Sequence, residues 1–283
     1  MSRLAGFATR ASARRAYSST SRSTKVKVQR GVQNFNANEP ALFPNDFADI
    51  PAIVKWFHCA SDNSKLPKLN ATYLEQFGAS YVPLELTQTD SNGTTTFERF
   101  EAPLSLLLAH MTGPLTPQTR LYLAQHSLAD LPSALQADLP IPTLLKQLGR
   151  GDIYASSLWM GRPPTRTPLH RDPNPNLFVQ LAGRKVVRLL KPDIGRAVYE
   201  RVLRNLGEAG GRPNMRGDKM MQGAELEAME IAIWNDVAEG GEEDVEAVLE
   251  AGDGLYVPLG WWHAVRGVGD GVGANASVNW WFR

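Results

Sequence analysis

From about residue 40 onward the chain runs through two hydrophobic rhythms, helical first and then strand-like. The segment PNDFADIPAIVKWFHCA (44–60) repeats apolar positions at the spacing of one helix face, after Asn45 or Asp46 as a cap. It predicts a helix that carries Cys59 as a small buried residue. NATYLEQFG (70–78) predicts a short helix ended by Gly78. SYVPLELTQ and TTTFERFEAP predict two strands joined through the turn Ser91-Asn92-Gly93. PLSLLLAHM predicts a buried helix, TRLYLAQHSL a strand, and ADLPSALQADLP a helical turn closed by prolines.

After residue 150 the pattern is β. GDIYASSLWMG and TPLHRD each predict a strand. NLFVQLAG and RKVVRLLKP predict a hairpin about Ala182-Gly183. GDGLYVPLGWWHAVRGV and NASVNWWFR predict one strand each. Helical patterns at 193–206 and 219–234 interrupt them, and 207–218 and 239–244, rich in glycine or acids, predict loops. Many short strands late in a chain that begins helical predict a mainly β fold. The expected form is a double-stranded β-helix, or jelly roll, with helical N-terminal decoration and a helical insertion. Its N-terminal part would cover about 40–150 and its jelly-roll part about 150–283.

Composition narrows this picture at three points. A hydrophobic share of 43% with 21% charged residues fits a globular protein, and no apolar run is long enough for a membrane span. A single cysteine excludes an internal disulfide and a cysteine-rich zinc module. The charge is uneven. The first acidic residue is Glu39, whereas Arg3, Arg10, Arg14, Arg15, Arg22, Lys25, Lys27 and Arg30 precede it among many Ser, Thr and Ala. Residues 1–30 therefore predict a mitochondrial transit peptide with a disordered tail, cleaved near Arg15-Ala16-Tyr17-Ser18 for delivery to the matrix. Removing residues 1–17 takes away four arginines and moves the net charge from +1 to −3. Such a domain has no general attraction for nucleic acid.

The candidate chemistry lies in TPLHRDPNPNLFVQLAGRKVVRLLKP (167–192). His170 and Asp172 are two apart, so a strand presents both on one face. With His263 from YVPLGWWHAV they make two imidazoles and a carboxylate, the set that holds non-haem Fe(II) on three sites and leaves three open. Lys185 shares its strand face with Val187 and Leu189, while Arg184, Val186 and Arg188 point the other way. A lysine among inward apolar residues needs an anion. 2-Oxoglutarate would supply one: its keto-acid end chelates a metal and its distal carboxylate reaches the lysine. His58, His110 and His126 lack such partners and are expected to be structural. Arg171 should face away from the metal, and Trp261 and Trp262 should wall the barrel.

The motifs LYLAQ (121–125), LWMG (158–161), TPLHRDPNPNLFVQLAGRK (167–185), GDGLYVPLGWWHAV (252–265) and SVNWW (277–281) resemble the JmjC-type, cupin-like 2-oxoglutarate oxygenases, in their small hydroxylase class. The resemblance covers about residues 40–283. It implies Fe(II) on His170, Asp172 and His263, with 2-oxoglutarate and dioxygen as co-substrates. It implies that Lys185, Thr167 and Tyr122 hold the distal carboxylate, and that Asn176 and Asn279 stand near the metal-bound end. The implied activity is hydroxylation of a protein side chain, or else N-methyl-lysine demethylation or tRNA-base hydroxylation. A binding protein on a cupin scaffold is the alternative outside the enzymes. The chain stops at Arg283 directly after its last predicted strand, so the family's C-terminal dimerisation helices are not expected, and the oligomeric state stays open.

Overall fold

The computed structural model describes residues 23–59, 66–207, 221–235 and 244–283. Residues 1–22 of the transit peptide and disordered tail expected at 1–30, and most of the two loops expected at 207–218 and 239–244, lie outside the described residues. The end of that tail is not disordered, since Thr24–Lys25 and Lys27–Val28 are strands. In chain order the first half contains β1 (Thr24–Lys25), β2 (Lys27–Val28), β3 (Ala41–Phe43), α1 (Pro51–Lys55), β4 (Phe57–Cys59), β5 (Pro67–Leu69), α2 (Ala71–Leu74), β6 (Tyr81–Thr89), β7 (Thr95–Pro103), α3 (Leu104–Thr112), β8 (Thr119–Ser127), α4 (Ser133–Ala137) and α5 (Leu145–Leu148). The second half contains β9 (Ile153–Gly161), β10 (Thr165–Arg171), β11 (Asn176–Ala182), β12 (Arg184–Leu190), α6 (Pro192–Asn205), α7 (Gly223–Trp234), β13 (Asp244–Leu249), β14 (Gly254–Val257), β15 (Trp262–Val268) and β16 (Asn275–Phe282).

Two sheets carry the fold. The large one runs β2-β3-β14-β11-β16-β9-β8-β6-β7 and the small one β1-β13-β12-β15-β10. Strand alternation sorts side chains into three apolar clusters. Phe178, Leu255 and Val257 of the large sheet meet Val187, Leu189, Leu249 and Val265 of the small one between the sheets. The outer face of the large sheet packs Leu84, Leu123, Leu158 and Val278 with Leu107 and Leu108 of α3 and with Leu135 and Leu145. The outer face of the small sheet packs Leu169, Val186, Trp262 and Ala264 under Val198 and Tyr199 of α6 and Met229 and Ile233 of α7. This is the expected jelly roll with helices outside both sheets.

Several local readings change. The helix expected over 44–60 is confined to α1, begun by Pro51 at its first turn with no side-chain cap. It ends because the Trp56 carbonyl accepts from Asn70 N–H and the chain enters the β4–β5 pair, which carries Cys59 at its end. The hairpin expected about Ala182-Gly183 is not one. β11 belongs to the large sheet and β12 to the small one. Gly183, at φ 70°, turns the chain from one to the other, and a Cβ there would stand 2.6 Å from the Ala274 carbonyl oxygen. The same happens in GDGLYVPLGWWHAVRGV: Pro258-Leu259-Gly260 separates β14 of the large sheet from β15 of the small one. Each sheet can bury only one face against the other, so a long apolar run is best used by crossing over.

β13 was hidden by its acids. Glu246, 1% exposed, is paired with Lys25 at 2.5 Å and Arg188 at 3.2 Å. Lys25 does this from β1, which lies parallel to β13 with Val26 buried beside it. Strand pairing therefore begins at Thr24, ahead of residue 40. None of the helices among the described residues is long and apolar enough to cross a membrane.

Candidate metal centre

β10 and β15 are antiparallel neighbours, and the register sets His170 directly opposite His263. Their ring centroids are 4.2 Å apart. Asp172, one residue beyond the end of β10, places Oδ1 3.9 Å from His170 Nε2 and Oδ2 3.6 Å from His263 Nε2. One ligand atom from each of the three lies within 4.8 Å of the others, and no other such cluster of His, Cys, Asp and Glu occurs among the described residues. His170 Nδ1 is 2.9 Å from the Pro168 carbonyl oxygen. A carbonyl only accepts, so Nδ1 carries the proton and Nε2 keeps its lone pair for a metal. Asn176 Nδ2 donates to Asp172 Oδ2 at 2.8 Å, and Asn279 Nδ2 donates to Asn176 Oδ1 at 2.9 Å. Both asparagines are buried. They are thus positioning residues that fix the carboxylate, which is how the structure uses the two polar residues expected near the metal. Two imidazoles and one carboxylate on one side of a centre fit Fe(II).

Lys185 lies on the inner face of β12, 2% exposed. Its ammonium donates to Ser277 Oγ at 2.5 Å and to Tyr122 Oη at 3.5 Å, and stands 5.2 Å from the Phe178 ring centroid. Tyr122 comes from β8 and pairs with Gly161 across the strands; a Cβ at 161 would lie 2.6 Å from Tyr122 Cδ2. The LYLAQ and LWMG motifs therefore meet at one spot, and the glycine makes room for the ring. Thr167 reaches the same interior by a different device. Strict alternation would put it on the face opposite His170. The register of β10 slips by one residue between Thr167 and His170, so Thr167 pairs with inward Val265 while His170 pairs with inward His263. Pro168, which has no N–H to donate, stands inside the slip.

Ser277 is the residue that the sequence reading passed over. It was legible, since it lies two positions before Asn279 and shares its strand face. Arg188, in contrast, points away from this interior. The other expectations hold in place. Trp262 sits under α6 and donates from Nε1 to Pro192 O at 3.2 Å, Trp261 donates to Asn38 O at 3.1 Å, and the Arg171 guanidinium lies 5.9 Å from the Trp262 ring centroid, although Arg171 also lines the cavity beside the ligands. His110 Nε2 accepts from Leu121 N–H at 3.3 Å, and burial, then the nearby Arg162, lowers its pKa. His126 is buried in the outer core, and burial lowers its pKa too. His58 lies in β4. None of these three joins the centre.

A cavity of about 330 Å³ opens onto His170 and Asp172, walled by Gln125, Tyr154, Ser157, Trp159 and Trp281. That volume admits an amino-acid side chain beside the ligands.

Comparison with known proteins gives one consistent result. A model described as "Cupin-like domain" matches residues 30–283. The chain is similar to "Lysine-specific demethylase JMJ30" of Arabidopsis thaliana, 29% identical over 246 residues that cover 86% of this chain and 49% of the relative. It is 31% identical to "Lysine-specific demethylase 8" of Danio rerio over 166 residues, 57% of this chain and 36% of that one. It is 26% identical to human "Bifunctional peptidase and (3S)-lysyl hydroxylase JMJD7" over 271 residues, 87% of this chain and 77% of the relative. The chain spans about half or less of the length of the first two.

Proposed function

Because the chain belongs to the cupin-like (JmjC) family, we propose that it is an Fe(II)- and 2-oxoglutarate-dependent oxygenase that hydroxylates a side chain of a protein substrate. The observation that carries this is the convergence of His170, Asp172 and His263 within 4.8 Å, with His170 and Asp172 lining an open cavity. These three would hold the iron, which when bound supplies the oxidising chemistry. The protein does the rest. Asn176 and Asn279 keep the Asp172 carboxylate aimed at the centre. Lys185, with the hydroxyls of Ser277 and Tyr122 on it and Thr167 on the inward side of β10, offers a water-poor seat to the distal carboxylate of 2-oxoglutarate. The aromatic walls Trp159 and Trp281 limit water beside the reacting atoms.

The relatives named as demethylases and as a lysyl hydroxylase support a protein substrate. Hydroxylating an N-methyl group releases formaldehyde, whereas hydroxylating a ring or chain carbon leaves a stable mass increase. A mass-spectrometric search for oxidised peptides, with a formaldehyde assay beside it, separates the two outcomes. Asp172→Ala is expected to reduce turnover of 2-oxoglutarate to succinate at least a thousandfold, with the melting temperature little changed; wild-type turnover in that variant would remove the metal assignment.

The proposed location is the mitochondrial matrix, supported by the acid-free, arginine-rich start of the chain. N-terminal sequencing of the protein from its own cells is expected to begin near Ser18, and an intact Met1 would count against import.

A further inference from the structure

Three non-glycine residues among those described have positive φ: Asn34 at 55°, Asn45 at 59° and Gln125 at 57°. Asparagine takes this left-handed region readily, because its short amide bonds to nearby backbone. Glutamine has no such relief, so its backbone is held against its own preference. Strain of this kind persists where the surroundings over-determine it, often at functional sites.

The surroundings here are a bulge in β8. Pairing with β9 passes from Leu123↔Met160 to His126↔Leu158, so Ala124 and Gln125 together face the single residue Trp159. Leu123, His126, Leu158 and Met160 all lie on the outer face. The extra residue therefore swings Gln125 to the inner side, where it walls the cavity beside the metal ligands. Its side chain is exposed and makes no hydrogen bond to another described residue.

The cavity's other walls define what such an amide would meet. Asp172 is the only carboxylate among the described wall residues, and it serves the metal. Tyr154, 62% exposed, stands at the rim with the Arg283 guanidinium 5.6 Å from its ring. Arg171 also lines the cavity, so a ligand is met by neutral polar groups and a cation rather than by a free anion. A primary amide sets one acceptor beside its donors, the complement of the C=O and N–H of a peptide group.

We infer that Gln125 grips the substrate: its amide pairs with a main-chain peptide group next to the side chain that enters the cavity. This rests on the protein-substrate reading above. A nucleobase edge could also pair with an amide, but a chain of net charge +1 offers little to the phosphates that come with it.

The test uses the full chain as wild type, Gln125→Gly and Gln125→Asn, with a pool of random-sequence dodecapeptides as the probe. Glycine and asparagine both suit the left-handed backbone, so both variants are expected to melt at or above the wild-type temperature. Peptide-stimulated succinate formation at a sub-saturating pool concentration should fall at least tenfold in Gln125→Gly, through the apparent KM rather than kcat. Gln125→Asn, which keeps a shorter amide, should lose less. A lower melting temperature for Gln125→Gly would give the side chain a structural role and overturn the inference, as would equal peptide stimulation in all three proteins. If the peptides fail to stimulate even the wild type, the protein-substrate reading itself falls. If random single-stranded RNA stimulates in their place, the partner of Gln125 is a base and the peptide inference is overturned.

Discussion

β12 buries two cations three residues apart and treats them in opposite ways. Arg188, 5% exposed, faces the helical side of the small sheet. It is paired with Glu246 at 3.2 Å, donates to the Ile233 carbonyl at 2.6 Å, and stands 5.0 Å from the Trp234 ring centroid. Arg266 approaches the same ring at 4.3 Å and holds Glu230 at 2.6 Å. These charges fasten α7 to the sheet through carboxylate, carbonyl and aromatic partners from the protein. Lys185 faces the other way, and the contacts described for its ammonium are hydroxyls and an aromatic face. The difference teaches how a buried cation announces its job. One matched to a carboxylate and a carbonyl secures structure, whereas one beside hydroxyls, which can turn to donate or accept, suits the co-substrate seat proposed above.

Breaking the structural cation should give the largest effect on stability. Arg188→Met strands Glu246, and removing one partner of a buried pair typically costs about 3–5 kcal/mol. The expected loss is near the low end, because Lys25 still touches Glu246. Urea unfolding measures it, and 2-oxoglutarate affinity should be nearly unchanged. A large loss of affinity with intact stability would exchange the roles of the two residues.

Breaking the other cation should do the reverse. Lys185→Met keeps most of the stem and removes the charge. Melting temperature measured beside the binding is expected to change little, and a large loss of stability with intact affinity would make the lysine a structural cation instead. Binding of 2-oxoglutarate to the Fe(II) protein under nitrogen, followed by its charge-transfer band, should weaken by about 2–5 kcal/mol, the usual worth of a desolvated charge pair.

A third buried charge sharpens the comparison at smaller scale. Asp138 has a side chain 1% exposed and takes Lys55 Nζ at 2.5 Å, Trp56 Nε1 at 2.8 Å and Tyr73 Oη at 2.6 Å. Burial pushes its carboxyl up, but these hydrogen bonds together outweigh burial and leave the pKa below the ordinary carboxylate value. A depressed folded pKa contributes stability that is present above the unfolded pKa and lost as pH falls through the folded one. Tyr73 gives the opposite arm. Its bond to Asp138, then burial, pushes it from 10.0 to about 12, so its contribution is present below 10 and lost as pH rises towards 12. Melting temperature against pH should show both arms, and Asp138→Asn should flatten both while leaving 2-oxoglutarate affinity alone.

The centre was more legible in the sequence than the path of the chain. His170, Asp172, His263 and Lys185 lie on the faces that alternation assigns them, because a strand's period of two survives any arrangement of sheets. Which sheet a strand joins is not written in its own residues. NLFVQLAG and RKVVRLLKP are apolar throughout, and that pattern suits a hairpin as well as two strands that face each other. Only contacts distant in sequence, such as Gly183 against Ala274, decide between them. Thr167 and Gln125 escaped strand alternation for another reason: each depends on a one-residue slip of register, which is set by the neighbouring strand. Thr167 was found through the resemblance alone.

The contact between Gly161 and Tyr122 has a consequence for inheritance. A first carbon at 161 collides with a ring whose hydroxyl reaches Lys185. A lineage that gains any side chain at 161 must displace that ring, and with it a hydroxyl from the seat proposed for the co-substrate. The two positions, thirty-nine apart in the sequence, are therefore one heritable character. Among descendants that keep the activity they should persist together, and where one has drifted the other should have drifted with it.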